Sequence, residues 1–324
     1  MVDRTAEGGV LIRDFRRSDL DALLVLMPMC FAKEFEVSGF DPDRLKGMVN
    51  RGYGPGGRFL LGLLRVFGKE PIKFLVAEAD GKVVGTTIVN DRGRAGYIST
   101  VMVHPDYRRR GIAARLMENA LDYVRQRSKA RTILDVDSTN IPAINLYTKL
   151  GFTVFEHVGY FLGEAGSMHL SVDSGEVEVR PFLKEDLDEV YGMIKASEDA
   201  NRLRVYDFGK GDLRTSFFQR LFRFSTLTRL VAVVGGRIVG YAEAVYSTPK
   251  VAGVVRSIYT SPEEGEKSRS IERALVNAAC NEIVKGGASR VRVTVPTERQ
   301  GLIGTLVSLL FREALVMDGM VKEF

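Results

Sequence analysis

Cysteine and histidine are both scarce in this chain of 324 residues, and each scarcity removes a class of protein. The 2 cysteines, Cys30 and Cys280, lie far apart among apolar neighbours, which argues against a disulfide framework or zinc knuckle and fits a reducing cytoplasm. The 3 histidines, His104, His157 and His169, are not at ligand spacing, and His104 before Pro105 reads as a turn residue, so no metal is expected. Long hydrophobic runs are missing too. The greasiest stretch, Phe59 to Phe67, is broken by Gly62 and Arg65, and the opening residues lack an apolar signal core, so no membrane association is expected.

What is present is an ordinary globular composition, 45% hydrophobic and 27% charged, in a chain long enough for two domains. The net charge of +5 suits an anionic partner, either nucleic acid or a polyphosphate cofactor. Arginines cluster at Arg108, Arg109 and Arg110, yet no helix-turn-helix, RNA-binding or zinc-finger pattern accompanies them. Nucleic acid is therefore not the expected partner.

The chain repeats itself. Val10 to Asp21 matches Val177 to Asp188 in its alternating strand, its Arg and its acidic helix start. Phe74 to Asp91 reads as a β-hairpin turning at Asp80-Gly81, and Leu230 to Tyr246 echoes it with Gly235-Gly236. Tyr97 to Pro105 parallels Val254 to Pro262, a short strand stopped by proline and followed by a long helix. Ile133 to Asp137 reads as a fifth strand, Ile141 to Leu150 as a helix ended by Gly151, and Phe152 onward as a last strand pair. The second half repeats this from Val291 to Phe311. The pattern predicts two similar α/β domains, residues 1–163 and 177–324, joined by a polar linker at 164–176.

Chemistry is concentrated in Val101 to Leu116, where a strand ends, an Arg- and Gly-rich loop follows and an amphipathic helix begins at once. Small residues at Gly111, Ala113 and Ala114 let backbone N–H groups approach a phosphate, and the helix start adds partial positive charge. Neither a Gly-x-x-x-x-Gly-Lys-Ser/Thr nor a Gly-x-Gly-x-x-Gly pattern is there, so nucleoside triphosphate and dinucleotide sites find no support. The pyrophosphate of another cofactor fits; a solvated basic turn is the alternative.

Arg108-x-x-Gly111-x-Ala113 resembles the acetyl-CoA signature of the GNAT acyltransferases, and Asn140-x-x-Ala143-x-x-Leu146-Tyr147-x-x-Leu150-Gly151-Phe152 resembles the late motif of that family. The resemblance covers about residues 8–163. It implies two tandem domains, each a mixed, centrally splayed sheet flanked by helices. It further implies that the backbone of Val101, Met102 and Val103 pairs with the pantetheine arm of acetyl-CoA, that Arg108, Arg109, Arg110, Gly111, Ile112, Ala113 and Ala114 hold its pyrophosphate, and that Asn140 hydrogen-bonds the arm. Tyr147 would donate a proton to the departing thiolate. The implied reaction is direct attack of a primary amine, on a small molecule or a peptide, upon the thioester.

The base is less plainly marked. Family members often place a carboxylate on the fourth strand, where this chain has Tyr97, Ser99 and Thr100. Asp135 and Asp137 share one face of the fifth strand, and Asp137, nearest its end, is the candidate, set against the competing role of capping the turn before Asn140. The stretch Gly52 to Gly68 would border the acceptor. In the second copy the loop reads Glu263-Glu-Gly-Glu-Lys-Ser-Arg-Ser270, while Arg299 stands opposite Asn140 and Leu306 opposite Tyr147. That copy reads as degenerate. A non-catalytic acyl-CoA sensor or scaffold is the rival to an enzyme.

Overall fold

The computed structural model describes residues 9–38, 46–47, 50, 72–168, 176–213, 226–246 and 252–324. Gly52 to Gly68 and His169 lie outside them. The first half runs β1 (Val10–Asp14), α1 (Leu20–Cys30), α2 (Ala32–Ser38), β2 (Ile72–Ala79), β3 (Lys82–Arg92), β4 (Ala95–Val103), α3 (Ile112–Gln126), β5 (Arg131–Asp137), α4 (Ile141–Lys149) and β6 (Thr153–Glu164). The second runs β7 (Glu178–Pro181), α5 (Leu187–Ser197), α6 (Ala200–Tyr206), β8 (Thr226–Val234), β9 (Arg237–Tyr246), β10 (Gly253–Thr260), α7 (Ser268–Lys285), β11 (Arg290–Pro296), α8 (Gln300–Ser308) and β12 (Arg312–Glu323). Both predicted hairpins form, with positive φ at Asp80 and Gly81 and at Gly235 and Gly236.

Two compact units emerge. Unit 1 comprises Met1–Glu36, Phe40–Val154 and Gly319–Phe324; unit 2 comprises Val37–Gly39 and Phe155–Asp318. These compact units are cut differently from the repeat boundaries at 163 and 177. In unit 1 the strand order is β1-β2-β3-β4-β5, with the end of β12 beside β5. Phe324 N–H donates to the Ala130 carbonyl at 3.1 Å, and Lys322 Nζ donates to the Leu150 carbonyl at 2.5 Å. Unit 2 has the order β6-β11-β10-β9-β8-β7. The strand pair expected after Phe152 is one strand of 12 residues, β6. Its hydrogen-bonding edge is filled by β11, antiparallel from Glu164↔Arg290 to Val158↔Pro296, rather than by a neighbour in sequence.

Each core is built the same way. α3 buries Ile112, Leu116, Met117, Ala120, Leu121 and Val124, the stripe expected of a helix lying on a sheet. Full burial of one such leucine is worth about 1.5–3 kcal/mol. The approach is close enough that a Cβ at Gly96 would fall 2.5 Å from Val124 Cγ2. In unit 2, α7 crosses Gly253 likewise, with Ile283 Cγ2 in the space a Cβ would take.

The repeated Arg and Asp also serve one purpose twice. Arg13 clasps Asp19 through Nη1 at 2.7 Å and Nη2 at 2.9 Å, and Arg180 clasps Asp186 at the same two distances. Each carboxylate also accepts a backbone N–H, from Arg16 at 2.6 Å and from Leu183 at 2.7 Å, which fixes the strand-to-helix turn. Burial alone would raise the Asp19 carboxyl, but the Arg13 and Arg16 contacts outweigh it and hold the group below its ordinary value. A depressed carboxyl contributes stability above its unfolded value and loses it as pH falls through the folded one. The urea midpoint is therefore expected to drop below about pH 4, and to drop less steeply in Asp19→Asn, which starts from a lower midpoint. Parallel curves for the two proteins would refute this assignment.

Candidate active site

β4 carries an irregularity where the site begins. Its register with β3 runs Ile88↔Ser99 and then Thr86↔Met102, so β4 holds one extra residue there. Thr100, a β-branched residue, adopts a φ of 58° at that bulge. On the other side β4 pairs with β5 in parallel only from Ala95↔Arg131 to Tyr97↔Ile133. Beyond that the two strands part, and Tyr97 Oη donates to Asp135 Oδ2 at 2.5 Å where they separate. Met102 and Val103 keep partners on β3, whereas Val101 sits in the bulge without one. The Val103 carbonyl accepts Arg108 Nε at 3.2 Å and Cys30 Sγ at 3.5 Å.

The loop after β4 then folds back before α3. Tyr107 N–H and Arg108 N–H close a tight turn on the His104 and Pro105 carbonyls, and the His104 Nδ1 accepts Asp106 N–H at 3.3 Å, so His104 is the turn residue expected. Of the three arginines, Arg108 is spent on the Val103 carbonyl, and Arg110 donates to the Asp106 carbonyl at 2.9 Å while lying 4.8 Å over the Tyr107 ring. Arg109 makes no hydrogen bond or ion pair among the described residues. Gly111 has φ 73°, and a Cβ there would meet nothing within 4 Å. The first helical bond is Arg115 N–H to the Gly111 carbonyl at 3.1 Å. The amides of Gly111, Ile112, Ala113 and Ala114 accordingly have no partner among the described residues, and no acidic side chain occupies the first turn of α3. Such a cradle fits a phosphate.

The later motif lies against the same core. Val103, Ile112, Tyr147 and Phe152 share one hydrophobic cluster, with Val101 and Ala113 packed on it. Tyr147 is buried, 6% exposed, with its ring 6.1 Å from that of Phe152. Burial pushes its phenol above the ordinary range, so the proton stays on through neutral pH. Asn140 caps α4, its Oδ1 accepting Ala143 N–H at 3.3 Å.

Two carboxylates flank the open ends of the parted strands. Asp137 Oδ1 accepts Thr139 N–H at 2.8 Å and Thr139 Oγ1–H at 2.7 Å, with Lys33 Nζ 3.5 Å from Oδ2. Burial would raise it, but those hydrogen bonds and Lys33 prevail and it lies below its ordinary value. Asp137 therefore performs the capping role that competed with its role as base. Glu34, on α2, is the carboxylate that sequence reasoning missed: burial and then the Asp137 charge push it up, against its own backbone N–H and Lys33. In the sequence it is one of two glutamates in a short helix of mixed polar and apolar residues.

Unit 2 keeps this frame and fills it. β10 has the same bulge, with Ser257 at φ 54°, and the same three-residue parallel pairing, Gly253↔Val291 to Val255↔Val293. Arg299, at the N-cap of α8, donates to the Ile258 carbonyl beside that bulge and through Nη2 to Glu272 Oε1 at 3.1 Å. The gap between the parting strands is thus occupied by an ion pair. Buried Leu306 replaces the tyrosine.

Residues 52–152 match the model of the acetyltransferase (GNAT) family. The chain carries a GNAT domain. It is similar to a mycothiol acetyltransferase of Tsukamurella paurometabola, 30% identical over 162 residues, which are 48% of this chain and 53% of that protein. It is also similar to the catalytic subunit of the N-terminal acetyltransferase B complex of Arabidopsis thaliana, 34% identical over 107 residues, 31% of this chain and 62% of that one. The matches thus span less than two thirds of those curated relatives. Among solved structures, a GCN5-related N-acetyltransferase from Sphaerobacter thermophilus aligns with a TM-score of 0.64 at 16% identity, covering 98% of this chain and 97% of that one. A tandem GNAT protein from the clavulanic acid biosynthesis pathway aligns with a TM-score of 0.59 at 15% identity, covering 78% and 82%. The fold is thus that of these tandem GNAT structures, and the second copy carries different residues at the positions named above. No helix among the described residues is long and apolar enough to cross a membrane.

Proposed function

We propose that unit 1 transfers an acetyl group from acetyl-CoA to a primary amine by direct attack. The observation that carries this is the cradle of partnerless amides at Gly111 to Ala114, at the foot of a helix that starts where β4 and β5 have parted. Acetyl-CoA would supply an activated thioester. The Gly111 to Ala114 amides and Arg109 would hold its pyrophosphate, Val101 would offer the free backbone edge of the bulge, and Asn140 would contribute its amide nitrogen. Tyr147 keeps a proton available for the leaving sulfur.

For the proton leaving the amine, Glu34 is favoured over Asp137. Lys33, on α2, bonds at the β5 end and Cys30, the last residue of α1, at the β4 end, so the junction of the two helices reaches the ends of both strands. There the raised carboxyl of Glu34 is a stronger base than the depressed one of Asp137, which acts on Glu34 through its charge. Removing that charge in Asp137→Asn should lower the Glu34 value, moving the ascending limb of the kcat/KM profile to lower pH. An unmoved limb would return the base to another group. Thiol release from acetyl-CoA in the presence of pooled amines tests the reaction itself. Tight CoA binding without release under any amine would identify the sensor instead.

A further inference from the structure

We propose that unit 2 binds a free α-amino acid with an apolar side chain, in a cavity between its edge strands β7 and β8 and the later turns of α7. The cavity encloses about 330 Å³, near the lower end of the roughly 300–1,000 Å³ typical of ligand sites, so it admits one small metabolite. It lies away from the N-terminus of α7 and from the parting of β10 and β11.

The cavity exists because unit 2 lacks side chains that close the same place in unit 1. The two helices are aligned by their contacts with glycines: on α3, Leu116 lies against Gly85 and Val124 against Gly96, as on α7 Leu275 lies against Gly240 and Ile283 against Gly253. Glu282 therefore takes the position of Tyr123. The registers Ile12↔Ala77↔Gly85 and Val179↔Ala232↔Gly240 likewise set Pro181 in the place of Asp14 and Thr228 in that of Lys73. In unit 1, Lys73 Nζ lies 2.7 Å from the Asp14 carboxylate and 5.6 Å from the centre of the Tyr123 ring. Pro181, Thr228 and Glu282 can make neither contact, and the space stays open.

Its lining is divided. Buried Leu230 and Ala274, with Val179 beside them, form an apolar floor. The helix wall carries Asn277, Asn281 and Lys285 one turn apart, with Glu282 next to Asn281. The side chains of Asn281 and Thr228 make no hydrogen bond among the described residues, so both are available to a ligand. Glu282 and Lys285 pair with each other at 3.2 Å, but Lys285 is largely exposed and such a pair contributes little, so a ligand can exchange it for its own charges. A carboxylate and an ammonium above an apolar floor match, in sign, the ammonium, the carboxylate and the side chain of one amino acid.

The test is calorimetric titration of the full chain with leucine, methionine, valine and phenylalanine in turn. At least one should bind, at one molecule per chain. The amide of the tightest, which lacks the carboxylate, should bind at least about 10-fold more weakly, and Lys285→Met should remove that difference by weakening the parent alone. Lys285 is exposed, so this variant keeps the fold. Ala278→Leu, which fills the cavity without changing charge, should weaken the parent to the same degree, as should joint Thr228→Lys and Glu282→Tyr, which restore the residues of unit 1. Thermal melts check that these variants fold. Failure of all four amino acids to bind overturns the proposal. So does equal binding of amide and parent, or binding that survives Ala278→Leu in a folded chain. None of these readouts involves acetyl-CoA, so they stand apart from the reaction of unit 1.

Discussion

Gly111→Asp should abolish measurable CoA binding, a loss of at least about 10²-fold, while the chain stays folded. The backbone at Gly111 has φ 73°, and left-handed geometry costs a non-glycine residue roughly 1–2 kcal/mol. Space is not limiting, since a Cβ there meets nothing within 4 Å. The new carboxylate would stand at the N-cap of α3, where it can accept the very amides left without partners, offsetting part of the strain. It would also place a negative charge near the pyrophosphate, worth about 4 kcal/mol at 4 Å and an effective dielectric of 20. Gly111→Ala separates the two effects, carrying the strain without the charge, and should keep CoA affinity within about tenfold of wild type. Calorimetric titration with CoA, paired with thermal melts, decides it. Unchanged affinity in a folded Asp variant would move the cofactor elsewhere.

The second large effect is kinetic. Tyr147→Phe should lower kcat by about 10²-fold or more with little change in the affinity for CoA. The ring is buried against Phe152 and its hydroxyl makes no hydrogen bond among the described residues, so phenylalanine preserves the packing. Stability should not fall, because the variant gives up no hydrogen bond and keeps the buried ring. Because burial holds the phenol above its ordinary range, its ionisation should put no descending limb in the wild-type pH profile through pH 9. A parallel loss of CoA affinity would make Tyr147 a binding residue. Full activity in the variant would remove it from the mechanism.

Much of the fold is legible because its signals are local. The hairpin turns at Asp80-Gly81 and Gly235-Gly236, the apolar stripe of α3 and the Arg13–Asp19 spacing each span a few residues. Strand partners far apart in sequence leave no such trace. Nothing near Phe152 says that its expected second strand is absent, and nothing near Arg131 says that Glu323 and Phe324 lie beside the start of β5. The site divides along the same line. Gly111 and Tyr147 stand out through their motifs, whereas Glu34 becomes visible only once folding sets it near Asp137. Side-chain partners of charges are likewise invisible in the sequence: Arg108 and Arg110 donate to carbonyls of their own loop, and Glu263 and Glu264 lie near Arg237.

The strand segment at residues 319–323 bears on how the protein is made. β5 ends at Asp137, so its outer edge waits for residues synthesised about 180 positions later. At 5–20 residues per second the ribosome needs roughly 10–40 s to deliver them. During that interval the nascent GNAT domain exposes an unpaired edge open to another chain or to a chaperone. Truncating the gene near residue 165 would make that transient state permanent, so aggregation of such a fragment would report a missing strand rather than a failed active site.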